Sequence, residues 1–311
     1  MSAPRPSQRK PGRTLLVGCG ALGTRLGERL AADGGEVFAL RRTTAGLPAA
    51  FTSLPVDLQA PVRTALPAVD AMVITLPPGG PVTGPAGGLA GGLAGGPAGG
   101  PASAGQPAHD DGYLASLRNL AAALPQVPPR VVLVSSTRVL GGHTHGRPLT
   151  ERDAPAPVGP RASILLEGER LATELFDAVI LRPAGIYGPG REMLLRKALE
   201  GDPVQYARRT NRIHEDDLVR TLHALLTSAE PPRLLHAVDQ APAPLGEVIT
   251  YIAHRLGVPP PPALEPEEAS GTVLDGAQLL DFLGSLEHPT FQSGYGQLID
   301  DRNGAGSPEQ S

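Results

Sequence analysis

Two stretches of the chain hold residues whose types and spacing suit chemistry. The first is "VGCGALG", which reads Gly18-x-Gly20-x-x-Gly23 directly after the short apolar run "TLLVG" (14–18). Gly18 allows a tight turn, Gly20 lets the backbone approach a pyrophosphate, and Gly23 lets the following helix lie close to the strand. That helix opens at Ala21 and Leu22, where unpaired N–H groups and the positive end of the helix dipole face phosphate oxygens. Packing can explain one glycine; three at this spacing, between a strand and a helix, point to a dinucleotide. The next strand, "EVFALRR" (36–42), decides which one. NAD binders usually place Asp or Glu there to hold the ribose hydroxyls. Here stand Arg41 and Arg42, whose forked guanidinium groups can grip a 2′-phosphate that a carboxylate would repel. The expected cofactor is NADP(H), with NAD(H) as the alternative; the plain reading of the pair is a solvated loop in an arginine-rich chain.

The second stretch is "VVLVSSTRVLGGHTHG" (131–146). An apolar strand ends in Ser135, Ser136 and Thr137, and in parallel sheets ligands sit at such carboxyl ends. Ser136 is the candidate to hydrogen-bond a substrate carbonyl or hydroxyl. His143 and His145 follow in a glycine-flanked loop, and histidine moves protons near neutral pH. A solvated loop is the plain reading of both. A zinc site would need a third ligand that nothing indicates, so no metal is expected. Cys19 is the single cysteine, which excludes disulfides and cysteine-based zinc sites.

The elements that position these residues alternate between strand and helix. Leu22, Leu26 and Leu30 mark one helical face, stopped by Gly34-Gly35. "AMVITL" (71–76) is a strand closed by Pro77-Pro78. Residues 109–124 and 163–176 have helical spacing, and "AVILRPAGIYG" (178–188) is strand, then loop. This order predicts an α/β fold, a doubly wound parallel sheet covered on both faces. Residues 79–108, a loose Gly-Gly-Leu/Pro-Ala repeat, cannot pack a core and read as a floppy insertion, either a spacer or a flap. Its closure cost is small, about 0.6 kcal/mol per doubling of length.

Bulk properties exclude several partners. The 311 residues carry a formal net charge of −4 with no basic stripe, which argues against nucleic acid. No apolar run reaches the roughly 18–20 residues of a membrane span. "MSAPRPSQRKPGR" lacks the apolar segment of a secretory signal and reads as a tail, so a cytoplasmic protein is expected.

Further motifs resemble one family. "VSSTRVLGG", "LRPAGIYGPGR" (181–191) and "NRIHEDDLVRTLHALL" (211–226) resemble, in order and spacing, segments of the extended short-chain dehydrogenases/reductases, the NAD-dependent epimerase/dehydratase group. The resemblance implies a Rossmann domain over 13–182 and a small substrate lobe over 183–299, partly interleaved, with disordered tails at 1–12 and 300–311. It also implies roles: Asp57 near the adenine, Leu76 and Pro77 beside the ribose, Pro183 against the nicotinamide, Ser136 as the active hydroxyl. The arginines at 208, 209 and 212 border the implied substrate region, to bind an anion or to face water. Tyr187 shapes the implied nicotinamide pocket, with proton donation as a lesser alternative. His214 is expected to bridge loop and helix, and Asp216 or Asp217 to cap the helix.

The departures matter as much. The family's Tyr-x-x-x-Lys pair falls on Arg161 and Leu165, and no such pair occurs anywhere in the chain, whose only lysines are Lys10 and Lys197. The tyrosine common after the serine strand is Leu140, and Thr272-Val273 stand where a Gly-Lys-Arg loop is common. These features are similar to the group's atypical branch. Arg161 is either a plain helix-start residue or a binder of an anionic substrate or oxyanion. The function expected is an NADP-preferring oxidoreductase or epimerase-like enzyme acting on a small or sugar-like carbonyl or hydroxyl substrate, as monomer or homodimer. The alternative is a catalytically silent dinucleotide-binding redox sensor or scaffold.

Overall fold

A computed structural model describes residues 12–78, 111–144, 146–265 and 270–305. The glycine-rich stretch 79–108 and His145 lie outside the described residues. The chain divides into two compact units. One is built from residues up to Val139, Pro157–Arg182 and Val219–Leu235; the other from Leu140–Ala156, Pro183–Leu218 and His236 onward. Residues 140–156, inside the stretch expected to be Rossmann, thus join the second unit, and 219–235 return to the first.

The first unit is organised by a seven-stranded sheet. Its strands are β1 (Arg13–Val17), β2 (Glu36–Arg41), β3 (Phe51–Pro55), β4 (Ala71–Ile74), β5 (Arg130–Val134), β7 (Val179–Pro183) and β11 (Leu234–Ala237), of which β11 ends in the second unit. The order is β11-β7-β5-β4-β1-β2-β3, and every pairing from β7 through β3 is parallel. The helices are α1 (Ala21–Ala32), α2 (Asp111–Ala123), α3 (Pro160–Phe176) and most of α5 (Glu215–Thr227). The strands are apolar throughout, as strands covered on both faces must be. Met72, Ile74, Leu133 and Leu15 are fully buried, against Leu117 and Leu120 of α2. Strand β3 carried no clear sequence signal, because three of its five residues are polar or proline and only Phe51 is buried. Helix α3 begins at Pro160, a turn before its expected start; proline's fixed φ suits the first helical position, and Gly159 (φ 80°) makes the turn into it.

A close approach explains one glycine of α1. A Cβ on Gly27 would lie 2.4 Å from Phe51 Cζ and 3.0 Å from Leu16 Cδ1, whereas one on Gly23 would meet Cys19 Sγ at 3.4 Å, an ordinary contact. The tight helix–sheet packing assigned to Gly23 therefore belongs to Gly27, one turn on.

A buried charge cluster ties β5, α3 and β7 together. Arg182 donates from Nε to Glu169 Oε1 (2.9 Å) and from Nη2 to Oε2 (2.6 Å), and the Ser135 hydroxyl donates to Oε1 (2.5 Å). All three are at least 95% buried. Such a pair survives burial only with good geometry and further hydrogen bonds, and removing one partner typically costs about 3–5 kcal/mol. The cluster holds the carboxyl end of β5, where Ser136 follows.

The second unit contains β6 (Pro148–Leu149), β8 (Gly185–Tyr187), α4 (Met193–Glu200), β9 (Arg209–Thr210), β10 (Arg212–His214), β12 (Ala243–Pro244), α6 (Leu245–Leu256), β13 (Val273–Leu274), α7 (Ala277–Leu283) and α8 (Phe291–Ala305). Its strands pair in twos: β8 with β10, β9 with β12, β6 with β13. The core gathers Leu194, Leu195 and Ala198 of α4, Val248, Ile249 and Ile252 of α6, and Phe291, Tyr295 and Ile299 of α8. Residues 300–305, expected in a disordered tail, are helical: Ile299 anchors the turn before them, and Arg255 Nη2 pairs with Asp300 Oδ1 at 2.6 Å. Among the described residues, no helix is long and apolar enough to cross a membrane.

This unit buries an acid. Asp239 has no exposed surface; its Oδ1 accepts the Ala241 N–H (3.2 Å), and its Oδ2 has no hydrogen-bond partner among the described residues. Burial raises its pKa from the ordinary 3.8 to about 7, against the lowering pull of the Arg212 charge and the Ala241 N–H.

Two outcomes are expected. Gly27→Ala should lower stability by about 1–3 kcal/mol, the usual cost of overpacking, while Gly23→Ala should cost much less; urea unfolding of both variants checks this. For Asp239, the folded state keeps a proton that the unfolded chain has lost, so its contribution is complete below about pH 4 and gone above about pH 7. Stability should therefore fall across that interval, by roughly 4 kcal/mol at most from this group. Asp239→Asn should flatten the fall and exceed the wild type in melting temperature at mildly alkaline pH; an unchanged pH profile would contradict it.

Candidate dinucleotide and active site

The glycine turn sits where the strand order reverses, between β1 and β4. Gly18 has φ 82°, a left-handed conformation, and a Cβ there would press on Leu76 Cδ2, Thr75 C and Thr75 Oγ1 at 3.2–3.3 Å. The turn is stitched to its neighbours: Gly18 N–H donates to Leu40 O (2.9 Å), and the Thr75 hydroxyl donates to Gly18 O (2.6 Å). Thr75 was not anticipated from sequence; a threonine at a strand end carries no motif.

Gly20 caps α1 with ordinary φ (−86°), and its missing Cβ faces open space, with no heavy atom closer than 4.0 Å. No side chain caps the helix and no acid sits in its first turn. Its leading N–H groups thus keep capacity for an anion. An absent side chain before an uncapped, 12-residue helix is what a pyrophosphate needs, so the residues present fit a dinucleotide. Cys19, inside the turn, is buried, which pushes its thiol pKa up.

Arg41, the last residue of β2, donates from Nη1 to Cys19 O (3.2 Å), so its guanidinium is held at the turn; Arg42 beside it is exposed. Asp57 is exposed just after β3, and its Oδ1 accepts the Gln59 N–H (3.0 Å). Leu76 and Pro77 follow β4 at the same edge, half-buried and exposed respectively. Ser136 is half-buried beyond β5, and its Oγ accepts the Arg138 N–H (3.2 Å), which opens a short 3-10 turn over Thr137–Leu140. Arg161 is exposed in the first turn of α3, and Leu165, at the family's lysine position, is buried.

The remaining candidates belong to the second unit. Pro183, the last residue of β7, is buried. The His143 ring donates from Nε2 to the Ala154 carbonyl (2.8 Å), which ties one face of its loop. Arg209 donates to Thr144 O (3.4 Å) and is half-buried.

Three placements correct expectations. Tyr187 is a core residue, stacked on Tyr295 (4.4 Å between centroids) and edge-on to His214; burial drives its pKa upward, so proton donation to a substrate is not its task. Arg212 is buried too, lying 5.3 Å over the Phe291 ring and donating to Thr210 Oγ1, so it supports the core instead of meeting a substrate anion or water. Helix α5 starts at Glu215, which places Asp216 and Asp217 inside its first turn, beyond the cap position. The Asp217 carboxylate accepts the backbone N–H groups of Glu287 and His288, both at 2.8 Å.

His214 does bridge loop and helix: its Nδ1 accepts the Asp216 N–H (3.2 Å). Its ring lies 3.7 Å from that of His288, and Asp216 Oδ2 is 3.4 Å from one ring and 3.6 Å from the other. Among the described residues, these three form a group compact enough to hold a metal ion. The His214 nitrogen facing Asp216 already takes a backbone hydrogen, so the cluster reads as a latch joining α5 to the segment before α8.

No protein-family model matches the chain. Among solved structures, a protein classed with the NAD-dependent epimerase/dehydratases from Methylobacillus flagellatus is 28% identical, with a TM-score of 0.73 over 94% of this chain and 99% of that one. MoeE5, solved with UDP-glucuronic acid and NAD, is 21% identical with a TM-score of 0.68 over 94% of this chain and all of its own. Among curated proteins, a 3-diazoavenalumate denitrifying reductase from a Streptomyces species is 31% identical over 148 residues; the chain spans about half (48%) of that relative's length. The glycine turn, the strand order and the near-complete structural overlap agree: the chain has the Rossmann-type fold of the NAD-dependent epimerase/dehydratases.

Proposed function

We propose that the chain is a dinucleotide-dependent reductase that takes NADP(H) in preference to NAD(H) and acts on a small or sugar-like substrate. The observation that carries the cofactor choice is the end of β2. Arg41 is held against the glycine turn through Cys19 O, Arg42 follows it into solvent, and no carboxylate stands at that strand end. A 2′-phosphate there would meet two guanidinium groups. MoeE5 was solved with NAD; the arginine pair is the feature of this chain that supports NADP(H) instead.

In this reading the family resemblance supplies the roles. Gly18, Gly20, Ala21, Leu22 and Gly23 hold the pyrophosphate; Asp57 borders the adenine; Leu76 and Pro77 flank the ribose. When bound, the nicotinamide supplies or accepts hydride. Ser136 orients the substrate through its hydroxyl proton, since its oxygen already accepts from Arg138 N–H. Arg161, exposed at a helix N-terminus, attracts an anionic part of the substrate. A reductase is favoured over an epimerase because a reductase needs one proton delivered, whereas an epimerase must take a proton away and return it, and the family's Tyr-x-x-x-Lys pair is absent. The curated relative is likewise named a reductase, and its name describes loss of nitrogen from a diazo compound; a substrate of that kind is within this reading.

Calorimetric titration tests the proposal. Arg41→Ala with Arg42→Ala should weaken NADPH roughly 10- to 100-fold and NADH little, the scale of one or two charge-assisted hydrogen bonds; equal weakening would remove the argument for the phosphate. Gly20→Val should keep the fold at a modest cost in melting temperature, since a Cβ there meets no packed neighbour and only the helix cap is weakened, yet lose both nucleotides. Binding without turnover of any carbonyl, hydroxyl or diazonium substrate would favour the silent sensor.

A further inference from the structure

A glycine opens a conformation without choosing it. With no Cβ at Gly18, the two peptide planes that flank its α-carbon turn more freely than at other residues, so something else must fix them. The plane before it is fixed from β2, where Leu40 O accepts the Gly18 N–H at 2.9 Å. The plane after it, between Gly18 and Cys19, is fixed from β4. The Thr75 hydroxyl donates to Gly18 O at 2.6 Å, and the Gly20 N–H donates to the same oxygen at 2.7 Å. Thr75 also makes the ordinary strand bond, its N–H to Val17 O at 2.9 Å, with the hydroxyl 3.2 Å from that oxygen. Its side chain thus carries the ladder one carbonyl past the end of β1. Thr75 is buried, so water does not readily replace a hydroxyl lost there.

Resting on the reading of the chain as a dinucleotide-dependent enzyme, we propose that Thr75 is a positioning residue for the cofactor: its hydroxyl locks the Gly18–Cys19 peptide with the oxygen turned toward β4 and the N–H turned away. A trans peptide is planar, with C=O and N–H on opposite sides, so holding the oxygen also sets the direction of the Cys19 N–H. The Gly18 oxygen stays bonded inside the turn and presents no negative end to an anion at the leading N–H groups of α1. Those groups have neither a side-chain cap nor an acid in the first turn to compete for them. Were the plane to turn over, Gly20 N–H would lose its acceptor, and a carbonyl oxygen would oppose the phosphates that the helix dipole attracts. Thr75 acts through the peptide, not by touching the nucleotide. The pyrophosphate is common to both nucleotides, so the lock governs affinity for NADPH and NADH alike, whereas Arg41 and Arg42 govern the choice between them.

The test is calorimetric titration of the full chain with NADPH and with NADH, for the wild type, Thr75→Val and Thr75→Ser. Each titration is run well below the melting temperature of the variant, so a purely structural role would change that temperature and leave affinity alone. Thr75→Val keeps the branched shape but sets a methyl group against Gly18 O; it should weaken both nucleotides by about tenfold and by the same factor, the scale of one buried hydrogen bond. Thr75→Ser keeps the hydroxyl and should stay within about twofold of the wild type, since the bond is retained. Unchanged affinity in Thr75→Val, weakening of one nucleotide only, or a serine variant as weak as the valine one overturns the lock and leaves the cofactor reading standing. A wild type that binds neither nucleotide overturns both. Independently of any variant, the Gly20 amide of the nucleotide-free wild type should exchange with D2O at least about tenfold more slowly than an unbonded loop amide, because Gly18 O holds it. Exchange at the unbonded rate would show a peptide that turns freely, and the lock would fall with it.

Discussion

The structure depends on one steric constraint at the point where the sheet changes direction. The chain leaves β1, builds β2 and β3 on one side, then crosses to place β4 on the other. The turn after β1 lies at this reversal and must pass Thr75 and Leu76 without a side chain. Gly18 meets that demand by its left-handed φ and by leaving room for Thr75 and Leu76. Thr75 then fastens the turn from β4 with its hydroxyl. The start of α1, the position of Arg41 and the empty space before Gly20 all follow from that fastened turn.

The rim beyond the turn is set by a different device. Glu169 receives two bonds from Arg182 and one from Ser135, so a helix and two strands share one buried carboxylate. A charge this deep is costly unless fully bonded, which makes its geometry stiff. Ser136 inherits that stiffness through its neighbour. The same helix carries Leu165 and Arg161 one and two turns earlier.

The second unit solves a different packing problem. Its strands are only two or three residues long, too short to satisfy a core by themselves. Helices α4, α6 and α8 supply the apolar surface, and a buried polar set joins the pieces. Asp217 binds two backbone N–H groups before α8, and Arg212 lies over Phe291. Asp239 is the exposed flank of this arrangement in an energetic sense only: wholly buried, it keeps its proton to near neutrality.

The sequence by itself determined the first unit's architecture. Apolar runs of four to six residues ending in glycine, proline or serine, alternating with helical periods, are local patterns, and so is the Gly18-x-Gly20-x-x-Gly23 turn. It also determined what is missing, since Tyr-x-x-x-Lys is a matter of spacing alone. Tertiary structure decided whatever depends on contacts between distant segments. Strand β3 takes its shape from pairing with β2, not from its own composition. Gly27 is required because Phe51, 24 positions away, lies against it. Thr75 and Glu169 show no motif because their partners come from other strands. Tyr187 and Arg212 look like site residues in sequence, where reactive types stand out, yet burial converts both into core supports. Burial is a property of the whole chain's packing, and no local window contains it.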